Sequence, residues 1–279
     1  MKTAVCLYGL VGSQQYKGGK GTNLAPEIAY EKYSQHIFQH QDCDVFIHTW
    51  STKHEDALRK LYRPTAMLAE PQRIFTPEQS HTNIPESRKQ QISKVINFLP
   101  PFRYLISQSS TLKQLLITGP KSDRENYIRD AIRAKSRWYS NKETLRLMAE
   151  QEHISGKIYD CVLVSRLDLC FFTDVLFHKF DLSKFWASHW NTAPRPGNQY
   201  RVDSINKNEG TGFLDLWFFS NSDFMRSFST LYDVMGNYDP SPHKASYSHV
   251  RSFTDQIGYT MYRWTDHELV RRRYYESLE

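Results

Sequence analysis

The feature that most constrains the fold is a strand–helix–strand pattern within the first fifty residues. Thr3 to Leu10 is an apolar run that ends at a glycine, which is typical of a buried strand. A helix follows with Pro26 in its first turn, and Asp44 to Trp50 forms a second strand-like run. The apolar ridge of that helix comprises Ala25, Ala29, Tyr33 and Ile37. Two strands joined through a helix predict a parallel pair.

The same alternation continues along the chain and predicts one α/β domain over residues 1–279. Glu55 to Tyr62 has the pattern of a short helix, whereas Glu70 to Gly119 lacks periodicity and is interpreted as an insertion or loop-rich region. Further strand-like runs are Ala66 to Ala69, Tyr159 to Arg166, Phe185 to Trp190, Leu214 to Ser220 and Tyr259 to Trp264. We therefore expect a Rossmann-like, mostly parallel central sheet with helices on both faces.

Capping boxes and glycines predict where the later helices begin and end. Ser122 to Glu125, Ser140 to Glu143 and Thr265 to Glu268 each place a hydroxyl three residues before a glutamate, which favours a helix start. A further helix carries Phe224, Phe228, Leu231 and Met235 on one face and is expected to end at Gly236. The glycine- and proline-containing loop from Asn191 to Gly212 is expected to become ordered when a ligand binds.

Composition narrows the cellular setting and the classes of partner. No window approaches the length of a membrane span, and the chain enters a strand directly after Met-Lys-Thr, so we expect a cytoplasmic protein. The four cysteines form no Cys-x-x-Cys pair and are expected to be reduced. The net charge of +6 is compatible with nucleic acid, with anionic membrane surfaces or with phosphate-bearing small substrates. Since no nucleic-acid-binding motif is present, no nucleic-acid partner is expected. The aromatic content of 14% suits a sugar-binding cleft as well as a core.

Ligands of open α/β sheets bind beyond the carboxyl ends of the strands, so the residues that follow each strand are the candidates. The loop from Gly9 to Asn23 is rich in glycine and lysine and suits phosphate binding through backbone N–H groups. It does not match the P-loop pattern, because Gly19-Lys20 is followed by Gly21. A surface loop without a ligand explains it equally well.

Two acidic residues near strand ends are the candidates for catalysis. Asp168 follows a buried strand and is positioned to hold a divalent cation that bridges a diphosphate. Arg166 would pair with the same phosphates or with Asp168 itself. Asp215 lies in an apolar run beside Trp217 and needs a partner if buried. It would contact acceptor hydroxyls or act as a base, unless it is a hydrogen-bonded cap to a neighbouring loop.

Four segments resemble a family of bacterial and phage glycosyltransferases of the GT-A type, which are associated with surface-polysaccharide genes. They are AVCLYGL at the start, DCDVFIHTWS, YDCVLVSRLDL and LDLWFFSNSDFMRSFSTLYD. The resemblance runs over most of the chain and is thin between Glu70 and Gly119. It implies a GT-A fold and transfer of a sugar from a nucleotide-diphosphate donor to a glycan acceptor.

The resemblance also implies roles for particular residues. Asp168 matches the second aspartate of the metal-binding D-x-D motif, with Arg166 in place of the first. This implies Mn²⁺ or Mg²⁺ at Asp168 with a downstream ligand such as His249 or His267, or Arg166 standing in for the cation. The donor would contact Gly9, Leu10, His48, Thr49, Trp50 and Arg166, and Asp215 and Trp217 would face the acceptor.

Two other functional classes remain open from the sequence. One is a different nucleotide-dependent transferase, either a sulfotransferase or a small-molecule kinase, for which Lys17 and Lys20 would have to form a working phosphate loop. The other is a non-catalytic module that binds carbohydrate or nucleic acid through its aromatic residues and positive charge.

Overall fold

The N-terminal strand–helix–strand pattern forms a parallel pair, as predicted. Strand β1 (Lys2–Gly9) is followed by helix α1 (Pro26–His36) and strand β2 (Asp42–Thr49). The two strands are in parallel register from Lys2 opposite Asp42 to Gly9 opposite Thr49. The structure, a computed structural model, describes residues 1–11, 25–76, 120–189, 212–263 and 265–270.

Seven strands in the described part of the chain form one mixed sheet around β1. The further strands are β3 (Ala66–Ala69), β4 (Cys161–Arg166), β5 (Leu169–Phe171), β6 (Phe185–Ser188), β7 (Leu214–Ser220), β8 (Ile257–Thr260) and β9 (His267–Leu269). Their order is β3-β2-β1-β4-β7-β6-β8, and β5 pairs separately with β9. In the large sheet β7 runs antiparallel to its neighbours β4 and β6, and the other described pairings are parallel. The expected mostly parallel sheet is confirmed.

Helices cover both faces of this sheet. They are α2 (Glu55–Tyr62), α3 (Pro120–Ser155), α4 (Ser222–Ser229), α5 (Leu231–Val234) and α6 (Pro242–Arg251). Helices α1 and α2 pack on one face through Tyr33 and Leu58, in a core with Val5 and Leu7 of β1. Helices α3 to α6 pack on the other face, where Trp138 lies in a core with Cys6 of β1. Side chains along β1 alternate between the two faces of the sheet, so β1 contributes residues to both apolar layers.

One predicted helix start is wrong because Ser140 lies inside a single long helix. Helix α3 runs without interruption from Pro120 to Ser155. Ser140 is fully buried, and its hydroxyl is used by Gly9 and His48 rather than by a helix N-terminus. The capping-box pattern is local, whereas the partners of this serine come from neighbouring strands.

The capping box at Thr265 to Glu268 also fails as a helix start, since His267–Leu269 is strand β9. Glu268 is fully buried and accepts hydrogen bonds from Arg263 Nε at 2.8 Å and from the Leu269 backbone N–H at 2.8 Å. The Arg263–Glu268 ion pair and the pairing of β9 with β5 therefore determine the conformation of this segment.

Other predictions are confirmed in part or lie outside the described residues. The predicted helix after β7 is interrupted at Thr230, which separates α4 from α5. Residues 77–119 of the predicted insertion and residues 191–211 of the predicted ligand-ordered loop lie outside the described residues. None of the described helices combines the length and the apolar composition needed to cross a bilayer.

Candidate functional site

A cleft of about 580 Å³ lies beyond the carboxyl ends of β1 to β4. The chain passes from β1 to β2 and β3 on one side, and β4 then lies on the other side of β1, so this is a switch point of the strand order. Its lining comes from the end of β1, from Trp50 after β2, from residues 72–75 after β3, from α3 and from Arg166 at the end of β4. The sheet topology therefore puts this cleft where α/β proteins bind ligands.

Gly9 forms the turn at the base of this cleft. Its φ of +101° lies in the left-handed region, which glycine adopts without a Cβ penalty. The Gly9 N–H donates to Ser140 Oγ at 3.1 Å, and its carbonyl accepts from Thr49 Oγ1 at 2.8 Å and from the Trp50 N–H at 3.2 Å. Gly9, Leu10 and Trp50 line the cleft as predicted. Thr49, predicted as a donor contact, is fully buried and holds Gly9 through its hydrogen bond to the Gly9 carbonyl.

His48 is likewise a supporting residue rather than a residue of the cleft surface. It is fully buried, with Nδ1 2.6 Å from Ser140 Oγ and Nε2 3.1 Å from Glu70 Oε1. Burial lowers the pKa of His48, and the Glu70 carboxylate only partly opposes that shift. A direct contact of His48 with a donor, as predicted, would need side-chain surface that this arrangement does not expose, and His48 connects β2 to α3.

Trp50 and Phe75 are aromatic residues of the cleft lining, and both contact Tyr139. Trp50 stacks on Tyr139 of α3 with ring centroids 5.5 Å apart, and Phe75 lies 6.1 Å from Trp50. The Arg73 guanidinium lies 4.4 Å above the Tyr139 ring and also binds Glu70 at 2.8 Å. Flat apolar rings beside guanidinium groups suit a ligand with both a planar ring and negative charge.

At the end of β4, Arg166 and Asp168 form a bidentate ion pair. Arg166 Nε donates to Asp168 Oδ1 and its terminal nitrogen to Oδ2, both at 2.7 Å. The Asp168 side chain is 7% exposed and that of Arg166 is 21% exposed. Burial acts against the charge of Arg166, but the attraction of Asp168 outweighs it, so the pKa of Arg166 is raised. Of the sequence alternatives, the structure shows pairing of the arginine with the aspartate.

A second arginine–aspartate pair joins α3 to β7. Asp215 is buried, its carboxylate contacts the Arg137 guanidinium, and His243 Nδ1 lies 3.5 Å from Asp215 Oδ1. Burial and the positive charge of Arg166 lower the pKa of Arg137 to about 10. Arg137 and Arg166 both line the cleft, so two guanidinium groups face one ligand space. Sequence reasoning missed Arg137, although the need of Asp215 for a partner was the available signal.

Trp217, predicted as an acceptor contact, belongs to the core. It is fully buried and stacks on Phe219 with ring centroids 5.8 Å apart. In a regular strand Asp215 and Trp217 would share a face, but the pairing of β6 with β7 shifts register between Ala187 and Ser188. Such a bulge re-aims side chains. Asp215 therefore faces α3 and α6, whereas Trp217 packs in the opposite apolar layer.

The residues predicted to hold a divalent cation do not fit one in this arrangement. Both oxygens of Asp168 accept from Arg166. His249 Nε2 lies 3.0 Å from the Ser227 carbonyl oxygen and its Nδ1 lies 3.2 Å from the Tyr238 hydroxyl, and His267 Nε2 lies 2.8 Å from Ser188 Oγ. Among the described residues, no group of three or more His, Cys, Asp or Glu side chains is placed to hold a metal ion.

The arrangement as a whole is suited to binding an anion that carries a flat ring. It offers two partly buried guanidinium groups, aromatic lining residues and a backbone turn fixed by four hydrogen-bonding residues, which are Thr49, Trp50, Ser51 and Ser140. No family model matches this chain, and no curated protein matches it.

Proposed function

We propose that this chain is a glycosyltransferase of the GT-A type that transfers a sugar from a nucleotide-diphosphate donor to a glycan acceptor. The observation that carries the proposal is the cleft at the switch point of a mostly parallel sheet, lined by Arg137, Arg166 and the aromatic residue Trp50. The resemblance of four sequence segments to glycosyltransferases supports it independently.

We propose one orientation for the donor in the cleft. The base and ribose lie against Gly9, Leu10 and Trp50, which all line the cleft. The diphosphate lies near Arg137 and Arg166, whose forked guanidinium groups match phosphate oxygens. Sugar transfer leaves negative charge on the departing diphosphate, and fixed positive groups at that position stabilise the transition state.

Asp215 has a positioning role in this proposal. Its carboxylate is engaged by Arg137 and lies near His243, so it orients the guanidinium that faces the diphosphate. Asp168 does the same for Arg166. The two carboxylates first considered as catalytic residues are thus assigned to holding the arginines in place.

A ligand panel tests the proposal. The purified protein is incubated with UDP, GDP, CMP and ATP, and its thermal unfolding is measured with each. A ligand at one hundred times its Kd adds about 2.7 kcal/mol of stability, which gives a clear rise in Tm. We expect a nucleoside diphosphate to stabilise the protein and the matching nucleotide sugar to release that diphosphate slowly in the presence of glycan.

The other functional classes give different results when an oligosaccharide is added to the panel. Stabilisation by ATP with phosphate transfer would support a kinase instead. Stabilisation by the oligosaccharide with no response to any nucleotide would support a carbohydrate-binding module and would remove the donor site.

A further inference from the structure

We infer that the diphosphate of the donor is held by Arg137 and Arg166 together, and that donor binding therefore requires no divalent cation. This inference rests on the proposed function and names what recognises the charged part of its substrate. It assigns to two arginines from different elements, α3 and β4, the task that the sequence pattern at Asp168 suggested for a metal ion.

The carboxylates near the cleft already have positive partners. Asp168 is bonded through both oxygens to Arg166, and its side chain is 7% exposed. Asp215 is 6% exposed and lies between Arg137 and His243. A cation bound here would have to displace a guanidinium from a buried carboxylate and would then lie beside the displaced positive charge.

The surface of the cleft itself is cationic. Its described lining includes four arginines, and no carboxylate is among those lining residues. The arginines are Arg73, Arg133, Arg137 and Arg166. The acidic partners of Arg137 and Arg166 are themselves almost fully buried, so a ligand in the cleft meets guanidinium groups and not the carboxylates that hold them.

The geometry of Arg166 leaves it able to bind a ligand while it stays paired. A guanidinium has five N–H donors, and Asp168 takes one from Nε and one from a terminal nitrogen. The carboxylate fixes the plane of the group, which lowers the entropy lost when phosphate oxygens bind.

The two guanidinium groups also repel each other in the free protein. The positive charge of Arg166 contributes to lowering the pKa of Arg137 to about 10, after burial as the larger cause. An anion that bridges the two groups replaces this repulsion with two attractive contacts. A diphosphate has the charge and the paired oxygens that such a bridge needs.

The first experiment compares cation conditions on the unaltered chain. Isothermal titration measures the Kd of UDP, GDP and inorganic pyrophosphate in buffer with EDTA and in buffer with Mn²⁺. We expect the Kd of the best diphosphate to agree within about threefold between the two buffers, because the protein supplies the positive charge.

The second experiment removes each arginine together with its carboxylate. The variants Arg137→Met/Asp215→Leu and Arg166→Met/Asp168→Leu leave no buried charge without a partner, so folding is retained. Each is expected to raise the Kd measured with EDTA by about 10- to 100-fold, as expected for loss of charged hydrogen bonds. The matched control is Arg146→Gln, an arginine of the same helix whose side chain is 41% exposed and paired with Glu143 and Glu150.

The outcomes separate this inference from the proposed function. Diphosphate binding that occurs only with Mn²⁺ would overturn the inference and leave the proposed donor site standing. Binding in EDTA that neither double variant weakens would also overturn it. No binding of any diphosphate in either buffer would remove the donor site itself, and the proposed function with it. The comparison of the two buffers needs no variant, so it decides the question even if a double variant fails to fold.

Discussion

The two arginine–aspartate pairs at the cleft are similar in chemistry and different in origin. Arg166 and Asp168 lie two residues apart at the end of one strand, and both oxygens of the carboxylate are used. Arg137 and Asp215 come from α3 and β7, which meet only in the folded chain. Their carboxylates are equally buried, at 7% and 6% exposure of the side chain.

This difference shows which part of a site local sequence can encode. A pair within one turn of chain is visible as a short motif, and its alternatives can be stated in advance. A pair between a helix and a strand depends on the packing of α3 against the sheet and on the register shift in β7. The second pair also carries more of the tertiary structure, because it joins two elements that are distant in sequence.

The largest expected effect separates the two pairs by their contribution to stability. Asp215→Asn keeps the shape of the side chain but leaves Arg137 without a negative partner, and we expect a loss of about 3 kcal/mol in the free energy of unfolding. Asp168→Asn should lose less, because partners two residues apart also attract each other in the unfolded chain.

Urea denaturation of both variants measures the difference. The double variant Arg137→Met/Asp215→Leu is the control, since it removes both charges and should recover most of the stability lost in Asp215→Asn. Equal losses in the two single variants would mean that the long-range pair has no special role in the fold.

We expect acidic pH to lower the stability of the protein through His243, which lies beside the Arg137–Asp215 pair. Burial, and after it the positive charge of Arg137, lowers the pKa of His243 to about 4. Between pH 6.5 and pH 4 the unfolded chain binds a proton at this histidine and the folded chain does not, so stability falls as pH decreases through that range. We expect His243 to account for a loss of about 3 kcal/mol between pH 7 and pH 4.

Unfolding free energies measured at intervals from pH 7 to pH 4 test this expectation. His243→Gln should have a shallower dependence on pH than the unaltered chain, and the exposed His153→Gln should not. The dependence will not vanish, because burial also lowers the pKa of His267 to about 3. If the unfolding free energy of His243→Gln fell with decreasing pH as steeply as that of the unaltered chain, His243 would not be the group responsible.

The smallest expected effect tests the register shift that separates Asp215 from Trp217. Trp217→Phe removes part of a fully buried side chain and should lower stability by roughly 1 kcal/mol through the space it leaves. The Kd of a diphosphate should stay the same, because this ring packs in the layer opposite α3. A weaker ligand affinity with unchanged stability would place Trp217 at the cleft after all.

Most of the fold was predictable because it depends on local periodicity. The pattern from Thr3 to Trp50 predicted β1, α1 and β2, and the bounds of α2 and β7 match their apolar patterns. The failures at Ser140 and at Glu268 have different causes. Ser140 fits a helix-start motif, yet it is buried and bonded to Gly9 and His48, which are distant in sequence. Glu268 is bonded to Arg263 close by in the chain, and its segment pairs as a strand with β5.

The cleft residues that follow strand ends were predictable from the sequence, whereas the arginine that comes from helix α3 was not. Gly9, Leu10, Trp50 and Arg166 follow directly from strand ends, and all four line the cleft. His48 and Thr49 also follow a strand, but strand alternation and the approach of Ser140 and Gly9 turn them into buried supports. Arg137 comes from a helix with no motif of its own, so only the three-dimensional packing identifies it.

Helix α3 gives the cleft one stiff side. The helix is continuous over 36 residues, a length of roughly 50 Å. Arg137 is next to Trp138, which is locked in the core, and farther along the same helix Glu152 is clamped by Arg226. Any displacement of Arg137 along the helix axis would require Trp138 and Glu152 to move as well. The opposite side, residues 72–75, has neither helix nor strand, so adjustment to ligands of different size falls to that side.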